Sequence, residues 1–195
     1  SEVMANPQGA DSGNEWLEIT NLSRATISLA GVAIDFGRDL ESVKTRVLRG
    51  GELEAGAWLA LGEPFADATL AVSIGPLGNT GGYLSLRCDE VVDFANYPKA
   101  PEGKSLIARR SDGLAQANDD SAGWCVAAPN TDGETASPNA ENPPCAEDVQ
   151  NQCLDGTTAR PIRSPRSGQV VVTELLADPT ATSDAHGEWF EVFAR

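Results

Sequence analysis

The sequence predicts an all-β protein whose strands form an antiparallel β-sandwich. Seven short stretches alternate apolar and polar residues at period two, the pattern of a half-buried strand. No stretch sustains the period of an amphipathic helix. Turn-forming residues are abundant, with 19 glycines and 12 prolines among 195 residues, and they bound these stretches. Many short strands without helices are typical of two packed antiparallel sheets.

The seven stretches are, in order, residues 15–20, 31–36, 45–49, 57–62, 82–87, 90–95 and 104–109. Ala55-Gly56 is placed to turn the chain before the fourth stretch. Cys88-Asp89 predicts a tight hairpin between the fifth and the sixth, because so short a connection joins neighbouring antiparallel strands. From about residue 111 turn residues dominate, and we interpret this region as the closing loops of a domain, with one short strand at residues 124–126.

Two parts of the chain are nearly the same. EVMANP at 2–7 aligns with ELLADP at 174–179, and EWLEI at 15–19 aligns with EWFEV at 188–192. Repetition of this kind indicates two copies of one structural unit. The second copy is cut off after its opening, so we expect the chain to be part of a longer protein.

The repeat predicts the domain organisation. We expect a β-sandwich domain over residues 1–145, a linker over 146–168, and the opening strands of a second, truncated copy over 169–195. A two-stranded hairpin is marginally stable alone in water, so we expect residues 169–195 to pack on residues 1–145 of the same chain or of another copy. Contact with another copy would be strand-exchanged self-association, which satisfies an open sheet edge.

Charge and hydropathy disfavour two classes of partner. The net charge of −15 repels phosphate backbones, so we predict no nucleic-acid partner. The basic stretch ARPIRSPR at 159–166 contains proline and serine and is interpreted as part of the linker. No apolar stretch approaches the ~20 residues of a membrane-spanning helix, so we predict no membrane insertion in this segment.

The four cysteines indicate disulfide chemistry. They are Cys88, Cys125, Cys145 and Cys153, without a CxxC motif and with one histidine in the chain, so zinc-ligand spacing is not supported. An even number of cysteines in a loop-rich chain is typical of disulfides formed in an oxidising compartment, with three connectivities open. We therefore expect an exported protein, extracellular or in the cell envelope.

Several motifs in order resemble the lamin tail domain, in particular its bacterial exported, immunoglobulin-like versions. The motifs are EVMANP, GNEWLEITNLS, LEAGAWLALG, GYLSLRCDEVVDFANYP, GKSLIARR and NDDSAGWCVAAPNTDGETASPNAENPPC. They cover most of residues 1–145, and the start of a second copy covers 169–195. The resemblance implies a compact immunoglobulin-like β-sandwich of secreted and surface proteins, mostly without catalytic residues of its own.

The same resemblance bears on the cysteine pairs. A cysteine in the Trp-Cys motif and a cysteine at the domain end look like a feature of the bacterial branch, which implies a Cys125–Cys145 bridge. That would leave Cys88 and Cys153 as the second pair. Cys145 and Cys153 are also close enough in sequence to pair, so this alternative stays open.

No set of residues predicts catalysis. Glu15 and Glu18 are three positions apart on a strand, so their side chains are expected on opposite faces, with Leu17 and Ile19 facing the core. His186 lies beside Ser183 and Asp184 in one loop, where a hydrolase triad rarely reaches its geometry, so we interpret it as a solvated loop histidine. We predict no catalytic residues and no cofactor.

Two weaker binding hypotheses come from single residue clusters. Asn118, Asp119 and Asp120 carry oxygen ligands suited to calcium, but without an EF-hand spacing they are better interpreted as a turn or a helix cap, and we predict no metal. Trp16 and Trp189 are out of phase with the apolar strand positions beside them, which makes them candidates for an exposed binding surface. Structural cover of these tryptophans by a loop is favoured over stacking on a ligand.

The predicted function is a non-catalytic interaction or structural module of a secreted or surface-anchored bacterial multidomain protein, serving adhesion, spacing or protein contact. The protein or cell-envelope partner is not identified by the sequence. The alternative is an accessory domain that binds substrate or calcium for a hydrolase elsewhere in the full-length chain.

Overall fold

The computed structural model describes residues 1–65, 73–109, 115–129, 135–149, 152–155, 158–161, 168–177, 180 and 189–194. The chain divides into two compact units, Ser1–Asn151 and Gln152–Arg195. Within the described residues, no helix is long and apolar enough to cross a membrane.

The described elements are almost all strands. In chain order they are β1 (Glu2–Met4), β2 (Trp16–Thr20), β3 (Ile27–Ser28), β4 (Ala33–Gly37), β5 (Lys44–Val47), β6 (Glu52–Leu53), β7 (Trp58–Gly62), β8 (Gly82–Cys88), β9 (Glu90–Tyr97), β10 (Leu106–Ala108), β11 (Trp124–Val126), β12 (Gln152–Asp155), β13 (Thr158–Pro161), β14 (Val170–Leu176) and β15 (Trp189–Ala194). Short 3₁₀ helices cover Glu63–Phe65, Ala115–Asn118 and Ser121–Gly123, and one α-helical turn, α1, covers Ala146–Val149.

Two antiparallel sheets of the first unit form the sandwich. The first sheet has the strand order β11-β10-β1-β2-β7, and the second has the order β5-β4-β8-β9. A small third pair, β3-β6, lies outside both. β1 is inserted between β2 and β10, which brings the first strand of the chain into the middle of a sheet completed by residues more than a hundred positions later.

The core lies between the facing sheets. Buried apolar side chains of the two sheets form one cluster: Val3, Leu17, Ile19, Leu61 and Leu106 from the first sheet, and Ile34, Phe36, Leu84, Ala95 and Tyr97 from the second. Alternation explains this set, because every second residue of a strand points to the same side. The all-β antiparallel sandwich predicted from the sequence is therefore confirmed.

The strand positions differ from the predicted ones mainly at their ends. The stretch predicted at 31–36 forms a strand at Ala33–Gly37, and the one at 104–109 is a strand only over Leu106–Ala108. The tight hairpin predicted at residues 88–89 is present: Cys88 pairs with Glu90, and Asp89 between them adopts a left-handed φ of 62°. The two-residue strands β3 and β6 are too short for an alternation pattern, and the sequence analysis missed them.

The region predicted as a linker, residues 146–168, contains regular structure. α1 lies at its start, and β12 and β13 pair as an antiparallel hairpin within it. The boundary between the two compact units, at residues 151 and 152, falls inside this region.

The second unit repeats the pairing of the first. β14 and β15 form an antiparallel hairpin that pairs Glu174 with Glu191, Leu175 with Phe190 and Leu176 with Trp189. The aligned residues of β1 and β2 are paired in the same way: Glu2 with Glu18, Val3 with Leu17 and Met4 with Trp16. The two repeated sequences thus adopt one cross-strand register.

Candidate functional site

Two carboxylates lie side by side on the outer face of the first sheet. Glu2 on β1 and Glu18 on β2 are directly paired, and both point away from the core because Val3 and Leu17 point into it. Their residues are only 0% and 2% exposed. Burial of a carboxylate is costly unless hydrogen bonds compensate it, so each oxygen needs a donor.

The donors come mainly from one loop segment, residues 135–145, which we call the strap. The backbone N–H of Ser137 donates to both carboxylate oxygens of Glu2, at 3.0 and 3.3 Å, and the Ser137 hydroxyl donates at 2.8 Å. The hydroxyl of Ser105, beside β10, completes the set at 2.5 Å. Glu2 therefore ties the strap to the middle of the sheet.

Glu18 holds the next part of the strap. The backbone N–H of Asn139 donates to Glu18 Oε2 at 2.8 Å, and the Ser1 hydroxyl donates to Oε1 at 2.6 Å. Asn139 adopts a left-handed φ of 61°, which asparagine tolerates better than most residues. Its side-chain oxygen accepts from the backbone N–H of Ala60 at 2.8 Å, on the edge strand β7. The strap thereby satisfies part of this sheet edge.

The far end of the strap is fixed covalently. Cys145 forms a disulfide with Cys125 on β11, with a Cα–Cα distance of 5.6 Å. The backbone of Cys145 also forms an isolated antiparallel β-bridge with Ala127, and the N–H of Ala128 donates to the Pro144 carbonyl at 3.0 Å. The strap therefore reaches both edge strands of the first sheet, β7 and β11.

Burial shifts the acidity of Glu18. Desolvation raises the pKa of Glu18 to about 7, and the charge of Glu2 adds to the rise, while hydrogen bonds from Ser1 and Asn139 oppose it. The bonds around both carboxylates come from the protein's own backbone and hydroxyl groups. This arrangement anchors a loop.

Glu15 is buried on the other side of the sheet. Its Oε1 accepts from the backbone N–H of Leu77 at 2.8 Å, and desolvation raises its pKa to about 6. The nearby hydroxyl of Tyr97 accepts from the N–H of Gly78 at 2.8 Å, and desolvation raises the Tyr97 pKa to about 12. Glu15 and Tyr97 thus accept hydrogen bonds from the backbone of residues 77–78, whereas Glu18 accepts one from the strap. The two glutamates therefore lie on opposite faces of the sheet.

A fourth buried acid, Asp35, lies on the outer face of the second sheet. Asp35 on β4 accepts from Arg87 Nε at 2.6 Å and Nη2 at 3.1 Å, from Thr45 Oγ1 at 2.6 Å and from Ser85 Oγ at 3.0 Å. The hydrogen bond from Arg87 is the main reason why the Asp35 pKa falls to about 2. The network crosses β5, β4 and β8, and sequence analysis missed it because its members are distant along the chain.

An open groove of about 800 Å³ lies beside this network. Apolar and charged residues line it: Arg38, Asp39, Leu40, Glu41, Tyr83, Val91, Phe94 and Asn96. Tyr83 and Phe94 stack with ring centroids 6.4 Å apart. Aromatic residues and arginine, here Tyr83, Phe94 and Arg38, are the residue types enriched at protein contact surfaces.

The calcium candidates serve as caps and turn residues. Asp120 accepts from the N–H groups of Ala122 and Gly123 and caps the 3₁₀ helix that begins at Ser121. Asn118 is buried, its carbonyl accepts from the Trp124 indole at 3.1 Å, and the Asp119 carbonyl accepts from Asn96 Nδ2 at 2.8 Å. Among the described residues, no group of three or more His, Cys, Asp or Glu side chains is placed to hold a metal ion.

Trp16 is not part of an exposed binding surface, and cover by loop residues, the interpretation that was favoured over ligand stacking, holds for it. Trp16 is only 5% exposed and packs with Met4 and Ala60, and its ring meets Phe65 edge-on at 5.6 Å between centroids. It does point away from the sandwich core, as the alternation indicated, but neighbouring loop residues cover that outer face. Trp189, its counterpart on β15, is 44% exposed.

The cysteines divide into one bridge and one free thiol among the described side chains. Cys125 and Cys145 are the pair that the family resemblance implied. Cys88 is free and exposed among the described side chains, at the hairpin turn that ends β8. Cys153 lies on β12, and its side chain is outside the described residues, so the second implied pair, Cys88 with Cys153, stays a prediction.

Ser183, Asp184 and His186 lie outside the described residues, and their interpretation as a solvated loop stays a prediction. The residues that the sequence analysis missed are Glu2, Asp35, Ser105 and the strap residues Ser137 and Asn139. One signal was available for Glu2, since the repeat carries a glutamate at both aligned strand positions.

Comparison of the chain with protein-family models, with curated proteins and with solved structures found no match in any of the three.

Proposed function

We propose that this chain is a non-catalytic interaction or structural module of a secreted or surface-anchored bacterial multidomain protein. The observation that carries the proposal is the repetition of one hairpin register in β1–β2 and β14–β15. Tandem copies of one sandwich unit are suited to spacing and to presenting surfaces. The resemblance of residues 1–145 to the lamin tail domain supports the same proposal through its ordered motifs.

The buried acids support a structural role. Glu2, Glu15 and Glu18 each accept hydrogen bonds from loop backbone or hydroxyl groups, so their charge is used to fix loops on the sandwich. The Cys125–Cys145 bridge supports an oxidising compartment, and export to the cell surface or beyond is part of the proposal. Adhesion, spacing and protein contact are the roles that such a module serves.

The proposed partner is a protein or another component of the cell envelope. The groove lined by Arg38, Tyr83 and Phe94 is the surface of the first unit that we propose for this contact. Strand-exchanged self-association through residues 169–195 stays a prediction, as does packing of this segment on residues 1–145.

A binding experiment with matched variants tests the proposal. The immobilised full chain should bind a bacterial envelope fraction saturably. Protease treatment of that fraction should abolish binding to a protein partner and leave binding to another envelope component intact. Phe94→Ser, in the groove, should weaken binding, and Val47→Ser, an exposed apolar residue outside the groove lining, should not. Binding that is unaffected by either variant would contradict the groove as the contact surface.

The alternative is an accessory domain that binds calcium or substrate for an attached hydrolase. Its supporting observation is the buried side-chain oxygen of Asn118, which has no hydrogen-bond partner among the described residues, while the amide nitrogen of the same side chain donates to Asp93 Oδ2 at 3.4 Å. Calorimetric titration with Ca²⁺ and with a panel of polysaccharides tests it. Saturable heat with either ligand, lost in Asn118→Ala for calcium, would favour this alternative.

A further inference from the structure

A small cleft of about 270 Å³ lies where the β4–β5 hairpin meets residues 76–78, and we call it the cationic cleft. It is lined by Phe36, Gly37, Arg38, Ser42, Lys44, Pro76, Leu77 and Gly78. All of these residues belong to the first unit. Pockets that hold a whole small molecule start at about 300 Å³, so this cleft has room for a single side chain.

Two cations and no acid line the cationic cleft. Arg38 and Lys44 are exposed, and neither belongs to an ion pair within the described part of the chain. Asp39 is held in its own turn, because its carboxylate accepts from the backbone N–H groups of Glu41 and Ser42 at 3.1 and 3.0 Å. In a chain with 29 acidic and 14 basic residues, two cations in one cleft without an acidic partner are unexpected. Their charge is therefore available to a ligand.

Protection of the sheet edge explains only part of this charge. β5 is an edge strand of the second sheet, and inward-pointing cations on an edge strand discourage pairing with another chain. Arg46 serves this purpose, since its Nε donates to the Ser73 carbonyl at 3.3 Å and its guanidinium lies 5.8 Å from the centroid of the Phe36 ring. Lys44 lies on the same side of β5 but has no such partner among the described residues. Arg38 is not on the edge strand.

The buried members of the lining are apolar. Phe36 is 0% exposed and Leu77 is 5% exposed, and Pro76 lies next to Leu77. Apolar surroundings strengthen the attraction between a cation and an anion, because less water screens it. The ligand that fits is therefore an acidic group on an apolar stem, such as the side chain of a glutamate.

A carboxylate is favoured over a phosphate polymer. The planar guanidinium of an arginine such as Arg38 binds a carboxylate with two parallel hydrogen bonds, and the ammonium of Lys44 adds a point charge. A guanidinium also binds phosphate, but a polymer with many phosphates is repelled by the net charge of −15. A single carboxylate on an otherwise uncharged segment avoids most of that repulsion.

We propose that the cationic cleft binds a glutamate side chain in an extended, otherwise uncharged segment of a partner protein. The inference rests on the proposed interaction function and adds a second contact beside the groove, with Arg38 lining both. It assigns Arg38 and Lys44 to the carboxylate of the ligand, and Phe36 and Leu77 to its methylene stem.

Nuclear magnetic resonance titration of the full chain with the capped peptide acetyl-Ala-Glu-Ala-amide tests the proposal. Amide signals around the cleft should shift saturably. The matched peptide with glutamine in place of glutamate should bind about tenfold more weakly, because its amide carries no charge. A double variant, Arg38→Gln with Lys44→Gln, should weaken binding of the glutamate peptide about tenfold.

The matched control is a second double variant, Arg24→Gln with Lys104→Gln. It removes two exposed cations outside the cleft lining and changes the net charge by the same amount. This control should bind the glutamate peptide as the wild type does. Near-ultraviolet circular dichroism checks that the first unit stays folded in both double variants.

Three results would overturn the proposal. The first is equal binding of the glutamate and glutamine peptides, or binding of neither. The second is equal weakening in both double variants, which would indicate a general attraction between charges. The third is inorganic phosphate that binds the cleft more tightly than the glutamate peptide does. None of these results decides the proposed function, because binding of the envelope fraction is tested with Phe94→Ser, outside the cleft lining.

Discussion

Buried acids shape this protein at the scale of single residues. Desolvation raises the pKa of Glu18 to about 7 and that of Glu15 to about 6, whereas bonding to Arg87 lowers the pKa of Asp35 to about 2. The two glutamates bind protons more tightly in the folded state, so their contribution to stability is complete below about pH 4.5 and is lost as the pH rises through their folded pKa values. Asp35 stabilises the fold above its unfolded pKa and loses this effect as the pH falls through about 2.

We expect the wild-type protein to become less stable between pH 5 and pH 8, and Glu18→Gln to reduce this loss. The amide cannot ionise, so it avoids the cost of a buried charge at pH 8, with an expected gain on the order of 1 kcal/mol. Urea unfolding at both pH values measures the effect. Glu191→Gln, at the exposed counterpart, is the control and should change neither curve. A Glu18→Gln variant that loses stability at pH 8 would show that the ionised carboxylate is the favourable form.

Single residues also show the limit of sequence reasoning. Alternation along β2 correctly indicated that Trp16 and Glu18 point away from the core. It did not show what lies over them, because the covering segment is more than a hundred residues away and has no periodic pattern of its own. Exposure of an outward-facing residue depends on such distant loops, so the sequence favoured cover of Trp16 by a loop but could not identify the residues that cover it.

At the scale of elements, the strands followed from the sequence and the strap did not. β2, β7, β8 and β9 alternate over five or more residues, which is enough for a pattern to be recognised. The strap has no repeated hydrogen bonding, and it is held by individual donors and by one disulfide. The sequence indicated Cys145 as a disulfide cysteine. The position of the strap across the outer face of the sheet, however, depends on its hydrogen bonds to Glu2 and Glu18.

We expect loss of the Cys125–Cys145 bridge to destabilise the first unit. In the chain-entropy model a loop of this length contributes about 3 kcal/mol, and a free strap end would also weaken the bonds of Ser137 and Asn139. Replacing both cysteines by serine should therefore lower the urea midpoint and speed amide exchange over residues 135–142. Cys88→Ser is the matched control, since that thiol is free and exposed. Equal midpoints for the double variant and the control would refute a stabilising bridge.

The main electrostatic property of the whole molecule is its negative charge, with 29 acidic and 14 basic residues. Copies of the chain therefore repel one another, and at physiological ionic strength salt screens this repulsion at distances beyond about 8 Å.

The position of β1 has a consequence for how the chain reaches its native state. The Glu2 carboxylate accepts a hydrogen bond from Ser137, which lies 135 positions later in the chain. Its strand β1 pairs with β10, where Glu2 lies opposite Ile107. Contacts of such long sequence separation form slowly, because a large loop must close before they contribute. The first sheet therefore cannot be completed until β10 and β11 have been synthesised, and the strap with its bridge at Cys145 can close over the sheet only after that.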